Sequence, residues 1–110
     1  MVMEIKVLSF SKDEITSAIM RQLLRGEEQG REFYVKTLQI EKQPISVKLT
    51  MERPSGRIDE KKLDHGFLAA SMLRYCIDNK IPMPRSADKD LHILNGRLSL
   101  FLSMNNDNTR

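Results

Sequence analysis

The sequence predicts an α+β fold, a mainly antiparallel sheet of about five strands with two helices packed on one face. Three observations point there. The stretches 38–51 and 91–104 share one alternation, apolar at Leu38, Ile40, Ile45, Val47, Leu49 and Met51 and again at Leu91, Ile93, Leu98, Leu100, Leu102 and Met104. Each reads as two strands joined by a tight turn, with one apolar side. Each also follows a stretch of helical periodicity, and a further alternating segment precedes the first helix. The order is β-α-β-β-α-β-β, with an α-β-β unit used twice.

Met3, Ile5 and Val7 alternate with Glu4 and Lys6, the period of a strand buried on one side. A helix follows. Ser11 caps it and Glu14 reaches back, which makes a capping box, and Phe10 and Ile15 are placed for a hydrophobic staple. The helix buries Ile15, Ala18, Ile19 and Leu23, flanked by Met20 and Leu24, and Gly26 offers a left-handed stop.

The segment 33–41 is extended and continues through Lys42-Gln43 into 44–52. That turn lacks residues that accept positive φ readily, whereas Asn95-Gly96 in the second hairpin suits a type I′ turn. The second turn sets Leu94 opposite Arg97, Ile93 opposite Leu98 and Leu91 opposite Leu100. Phe33 and Val35 fall out of phase with Leu38 and Ile40, through a covered second face or a bulge that switches faces.

Arg53-Pro54-Ser55-Gly56 marks a turn between the halves. Asp59 is placed to cap a helix predicted over 59–79, with a main stripe of Leu63, Gly66, Phe67, Ala70, Leu73 and Ile77, widened by Leu68, Met72, Tyr75 and Cys76. Gly66 in mid-helix implies the close approach of another backbone, beside Ala18 or from a second copy. Ile81-Pro82-Met83-Pro84 stops the helix and starts a crossing segment, and 86–90 has room for one helical turn. The expectation is one domain over 1–104 and a disordered tail over 105–110.

The composition is that of an ordinary globular protein, 40% apolar and 30% charged. Cys76 is the lone cysteine, and no apolar run approaches the length of a membrane span, so a cytoplasmic, reducing location without membrane contact is expected. The net charge of +3 comes from 18 basic and 15 acidic residues interleaved along the chain. It permits an anionic partner without requiring one.

No arrangement of residues amounts to a catalytic, metal or cofactor site. The five glycines form neither a dinucleotide fingerprint nor a phosphate loop, and no serine sits in a Gly-x-Ser-x-Gly elbow. His65 and Cys76 are roughly 16 Å apart along one helix, too far to share an ion. Asp59, Glu60 and Asp64 read as acids that oppose a helix dipole, and Cys76 as a small buried hydrophobe.

Two features carry more weight. Arg74, Lys80, Arg85 and Lys89 gather around the end of the second helix, with Arg97 able to join them, as a candidate contact for phosphates or an acidic protein. Arg97, Ser99, Phe101 and Ser103 line the off-core face of the last strand, where Phe101 needs a cover. The expectation is therefore a non-enzymatic interaction module without cofactor, a homodimer that self-associates through Phe101, Ser99 and Ser103 on the outer sheet face. The alternative is a nucleic-acid-binding module using the five basic residues.

Overall fold

The computed structural model describes residues 2–105. Its elements in chain order are β1 (Met3–Ser9), α1 (Lys12–Arg25), β2 (Tyr34–Glu41), β3 (Ser46–Glu52), β4 (Ile58–Leu63), α2 (His65–Asp78), β5 (Asp88–Leu94) and β6 (Arg97–Asn105). The class is α+β as expected, but the strands form two three-stranded antiparallel sheets. The first has the order β1-β6-β5 and the second β2-β3-β4. β6 runs to Asn105, and the remainder of the expected tail, 106–110, lies outside the described residues.

The added strand is β4. The residues 59–63, which the sequence assigns to the start of the second helix because Asp, Glu and Lys in succession are compatible with a helical first turn, belong instead to a strand, Ile58–Leu63, that pairs along β3 from Val47↔Leu63 to Glu52↔Ile58. Pairing overrides local preference here. The helix starts one step later, where the Asp64 carboxylate accepts from the Phe67 amide at 2.8 Å. Asp59 and Glu60 are thus strand residues, and only Asp64 stands at a helix N-terminus.

With the start corrected, the buried stripe of α2 rotates. Leu68, Ser71, Met72 and Cys76 are buried, whereas Gly66, Ala70 and Ile77 are exposed and Phe67 and Leu73 half-buried. Gly66 lies in the first turn. A Cβ there would meet only the Asp64 carboxylate at 3.6 Å, so no close backbone is needed to explain it.

The first helix matches its reading more closely. The Glu14 amide donates to Ser11 Oγ at 3.1 Å and the Ser11 amide to Glu14 Oε1 at 2.8 Å, the two halves of a capping box. Ile15, Ala18, Ile19 and Leu23 are buried. Gly26 ends the helix at φ −117°, outside the left-handed region.

Counted from the caps Ser11 and Asp64, the two helices bury the same positions: Ile15 corresponds to Leu68, Ala18 to Ser71, Ile19 to Met72 and Leu23 to Cys76. The strand before each helix corresponds too. The chain is therefore a β-α-β-β unit used twice, β1-α1-β2-β3 and β4-α2-β5-β6, with the leading strands exchanged: β1 pairs with β6 and β4 with β3. The strand in front, read from sequence as an extra, belongs to the repeat.

The second hairpin has the expected register, Leu94↔Arg97, Ile93↔Leu98 and Leu91↔Leu100, with positive φ at Asn95 and Gly96 (53° and 76°) as a type I′ turn requires. The first hairpin differs. Glu41 pairs with Ser46, so its loop is 42–45 rather than Lys42-Gln43 alone. A register shift between Val35 and Thr37 switches faces, and Val35 reaches the core side opposite Met51. That bulge accounts for the phase change noted at Phe33 and Val35. No helical turn forms over 86–90, where β5 already begins at Asp88.

The helices lie against each other, and their buried stripes join Leu38, Val47, Leu49, Met51 and Leu63 of the second sheet and Leu91, Leu98, Leu100 and Leu102 of the first in one apolar cluster. Asp78 ties the helices at their ends, accepting from Arg25 at 2.7 Å and Arg21 at 3.4 Å while lying 3.3 Å from Arg74. Just beyond the C-terminus of α1, Glu28 is 2% exposed and receives both arms of Arg53, at 2.6 and 3.2 Å. Arg53 also donates to Asp59 at 2.9 Å. These bonds hold the Glu28 and Asp59 carboxyls below their ordinary values against the opposing effect of burial.

Candidate functional site

The register assigns each strand residue to one side of its sheet. In the first sheet Leu8, Leu100 and Leu91 lie abreast toward the core, so Met3, Ile5 and Val7 of β1 point outward with Phe101 and Ser103 of β6 and Asp88, Asp90 and His92 of β5. Met3, Ile5 and Val7 are 62, 58 and 39% exposed. The strand is where its alternation placed it, but its apolar side faces out. Glu4 and Lys6 occupy the inward parity, and the Lys6 ammonium donates to the Pro82 carbonyl at 3.1 Å.

Phe101 is opposite Val7 on one flank and Asp90 on the other. The His92 ring meets it edge-on at 4.7 Å between centroids, and His92 Nε2 lies 2.9 Å from Asp90 Oδ2. Ser99 is fully buried, its hydroxyl 2.9 Å from that of Ser9, while Ser103 is half-buried. The exposed surface is thus an apolar row along β1 that continues onto Phe101. An acidic border on β5 flanks it.

The outer face of the second sheet provides an internal comparison. Where the first sheet has Val7 opposite Phe101, the second has Glu60 opposite Thr50; where the first has Ser9 opposite Ser99, the second has Lys62 opposite Lys48. Lys48 is 3.9 Å from Glu60, Lys62 is 3.7 Å from Glu41 and Lys36 is 3.7 Å from Glu52. Its exposed apolar residues, Tyr34 and Ile58, stand at one end. One face is a charge-paired surface adapted to water; the other leaves apolar side chains in it.

The basic residues singled out from the sequence do not form one surface. Arg74 is engaged with Asp78 on α2, Lys80 and Arg85 are exposed around the crossing segment, and Lys89 donates to the Ala87 carbonyl at 2.8 Å. Arg97 lies on the opposite side of the sheet from Lys89, at the hairpin end, and donates to the Phe10 carbonyl at 3.3 Å. Lys6, which the sequence reading passed over, is abreast of Leu102 and Lys89. Two lysines from opposite edges of the first sheet thus hold carbonyls of the segment that crosses it.

Phe10 carried a signal for the outward row. Its hydrophobic-staple position commits it to the core, Leu8 shares its parity, and so Met3, Ile5 and Val7 must face the other way. Glu28 had no comparable signal, because only the fold brings it to Arg53.

Open clefts lie around the second sheet and the α1–β2 loop. One of about 500 Å³ is lined by Leu24, Phe33, Tyr34 and Pro54 with Arg31 and Glu32. Beside it Arg31, Arg53 and Arg57 line another, but Glu28 and Asp59 already hold Arg53, and Asp59 also holds Arg57. A further one, between Lys48, Lys62, Glu41 and Glu60, contains the ion pairs of the outer face. Cys76 is fully buried, and burial pushes its thiol up, away from the reactive thiolate. Among the described residues no acid, histidine and cysteine group has the arrangement of a metal site, and no helix is long and apolar enough to cross a membrane.

Compared with protein families, curated proteins and solved structures, the chain matches none.

Proposed function

We propose that this protein is a small non-catalytic interaction module of the cytoplasm, a homodimer whose working surface is the outer face of the first sheet. The observation that carries the reading is the contrast between two faces built on the same unit: Val7 and Phe101 occupy the places of Glu60 and Thr50. Apolar side chains retained outward on one repeat, and replaced by paired charges on the other, are suited to contact with protein rather than water. The shared apolar cluster supports 1–104 acting as one domain.

The test copies one face onto the other. A variant carrying Val7→Glu and Phe101→Thr keeps the fold, because both positions lie outside the core. Its association is expected to weaken strongly in sedimentation equilibrium while its melting temperature stays close to that of the parent. Unchanged association would contradict the reading.

A further inference from the structure

The reading above leaves open how two copies would meet, and the edge of β1 answers it. The Phe10 amide donates to the Leu98 carbonyl at 3.1 Å, and the register Leu8↔Leu100, Lys6↔Leu102 and Glu4↔Met104 continues from that pair. In an antiparallel ladder these even positions exchange hydrogen bonds with β6, so Met3, Ile5 and Val7 aim their backbone groups away from it. β1 has no strand on that side among the described residues.

The other free edges are protected. β4 reads Ile-Asp-Glu-Lys-Lys-Leu, with charges at successive positions; β2 is interrupted by its bulge; β5 opens with Asp88, Lys89 and Asp90. Charges and bulges are common means of keeping strand edges from pairing. β1 has only Glu4 and Lys6, and their spacing suits pairing with a copy of itself.

Met-Glu-Ile-Lys-Val, residues 3–7, is complementary to its own reverse. Laid antiparallel on a second copy with Ile5 opposite Ile5, it sets Met3 opposite Val7, and Glu4 opposite Lys6, twice across the two-fold axis. Ile5 opposite Ile5 and Met3 opposite Val7 are then hydrogen-bonded pairs on the outer face. Glu4 opposite Lys6 falls in the closer, non-hydrogen-bonded pairs on the other face. Lys6 needs one donor for Pro82 and an ammonium has three, so that bond is compatible with the new pair. A register centred on Lys6 would set like charges face to face.

We propose that a second copy of this chain docks edge to edge along β1 in this register, joining the two first sheets into one. The proposal rests on the self-association reading and specifies its geometry. The two apolar rows become neighbours, and Met3, Ile5, Val7 and Phe101 of both copies share one continuous outer face. The partner is identified by the alternation of charge along β1 and by the backbone groups that Met3, Ile5 and Val7 aim away from β6.

The test uses the full chain in sedimentation equilibrium. Lys6→Glu and Glu4→Lys each place like charges opposite one another twice, and each is expected to weaken dimerisation about tenfold or more. The double variant restores the pairs in reversed order and returns the affinity toward that of the parent. Ile5→Cys brings two thiols to a Cα separation of about 5.5 Å, within disulfide range, so mild oxidation gives a covalent dimer, whereas Ile58→Cys at the equivalent place on β4 does not. The buried Cys76 leaves little background.

If Lys6→Glu fails to fold for want of its Pro82 bond, Glu4→Lys and the Ile5→Cys cross-link decide the matter. A parent chain that stays monomeric at millimolar concentration overturns both this proposal and the self-association on which it rests. A dimer abolished by Phe101→Thr, indifferent to the charge reversals and not linked through Ile5→Cys overturns the edge geometry alone. The copies would then meet face to face.

Discussion

Val7 lies directly opposite Phe101 on the outside of the first sheet, at the place where the second sheet sets Glu60 opposite Thr50. Two units with the same element order and the same buried helix positions therefore present opposite chemistry to their surroundings. The core requires neither choice, since both pairs face away from it. What differs is whether the face is suited to water or to contact.

That contrast is transferable. Glu60→Val together with Thr50→Phe gives the second sheet the apolar pair of the first, and the variant is expected to associate more strongly than the parent or to form higher oligomers. Light scattering across a concentration series checks it. A variant that scatters like the parent would show that an outward apolar pair on this scaffold is insufficient for contact.

Among the described residues Glu28 is the charged side chain that the fold buries. It is 2% exposed, and Arg53 depends on it for two of its bonds. Glu28→Ala leaves the guanidinium partly buried with Asp59 alone, and removal of one member of a buried pair costs about 3 kcal/mol. Chemical denaturation should show a lower midpoint with an unchanged slope. A loss no larger than that of an exposed substitution would contradict the role assigned to this cluster.

The acid limb of stability follows from the same groups. Glu28 and Asp59 are depressed first by their bonds to Arg53, and Asp78 by its bond to Arg25. Folded carboxyls below their unfolded values bind fewer protons than the unfolded chain, so stability rises with pH through that window. It is fully present above the ordinary values of 4.5 for Glu28 and 3.8 for Asp59 and Asp78, and is lost as the pH falls through the depressed folded values. Denaturation midpoints from pH 7 downward should hold level and then fall, with a shallower fall in Glu28→Gln.

The two helix caps occupy equivalent places and should behave alike. Ser11→Ala and Asp64→Ala each remove a side-chain acceptor from a first-turn amide, at about 1 kcal/mol apiece. The sites are on separate helices, so the double variant should lose close to the sum. Thermal melts of the single and double variants measure both quantities.

How much of this was legible varies by element and for physical reasons. The first helix announced itself through Ser11 and Glu14, and the last hairpin through Asn95-Gly96, because caps and tight turns depend on residues a few positions apart. The strand Ile58–Leu63 did not, since its identity comes from pairing with β3 and its own residues are equally compatible with a helical turn. That error carried the stripe of α2 with it and divided one expected sheet into two. β1 shows a different limit. Its alternation says which residues share a side, not which side is inside, and only the parity of Leu8 and Phe10 resolves that. For the basic residues, spacing placed Arg97 near Lys89, but the strand sets them on opposite sides of the sheet.

The claim that the first sheet's outer face is the contact surface is tested most directly by residue-resolved nuclear magnetic resonance of the unmodified chain as its concentration is raised from micromolar to millimolar. The account predicts progressive shifts at Ile5, Val7 and Phe101 while Lys48, Thr50, Glu60 and Lys62 stay in place. Shifts confined to the second sheet, or none anywhere, would contradict it.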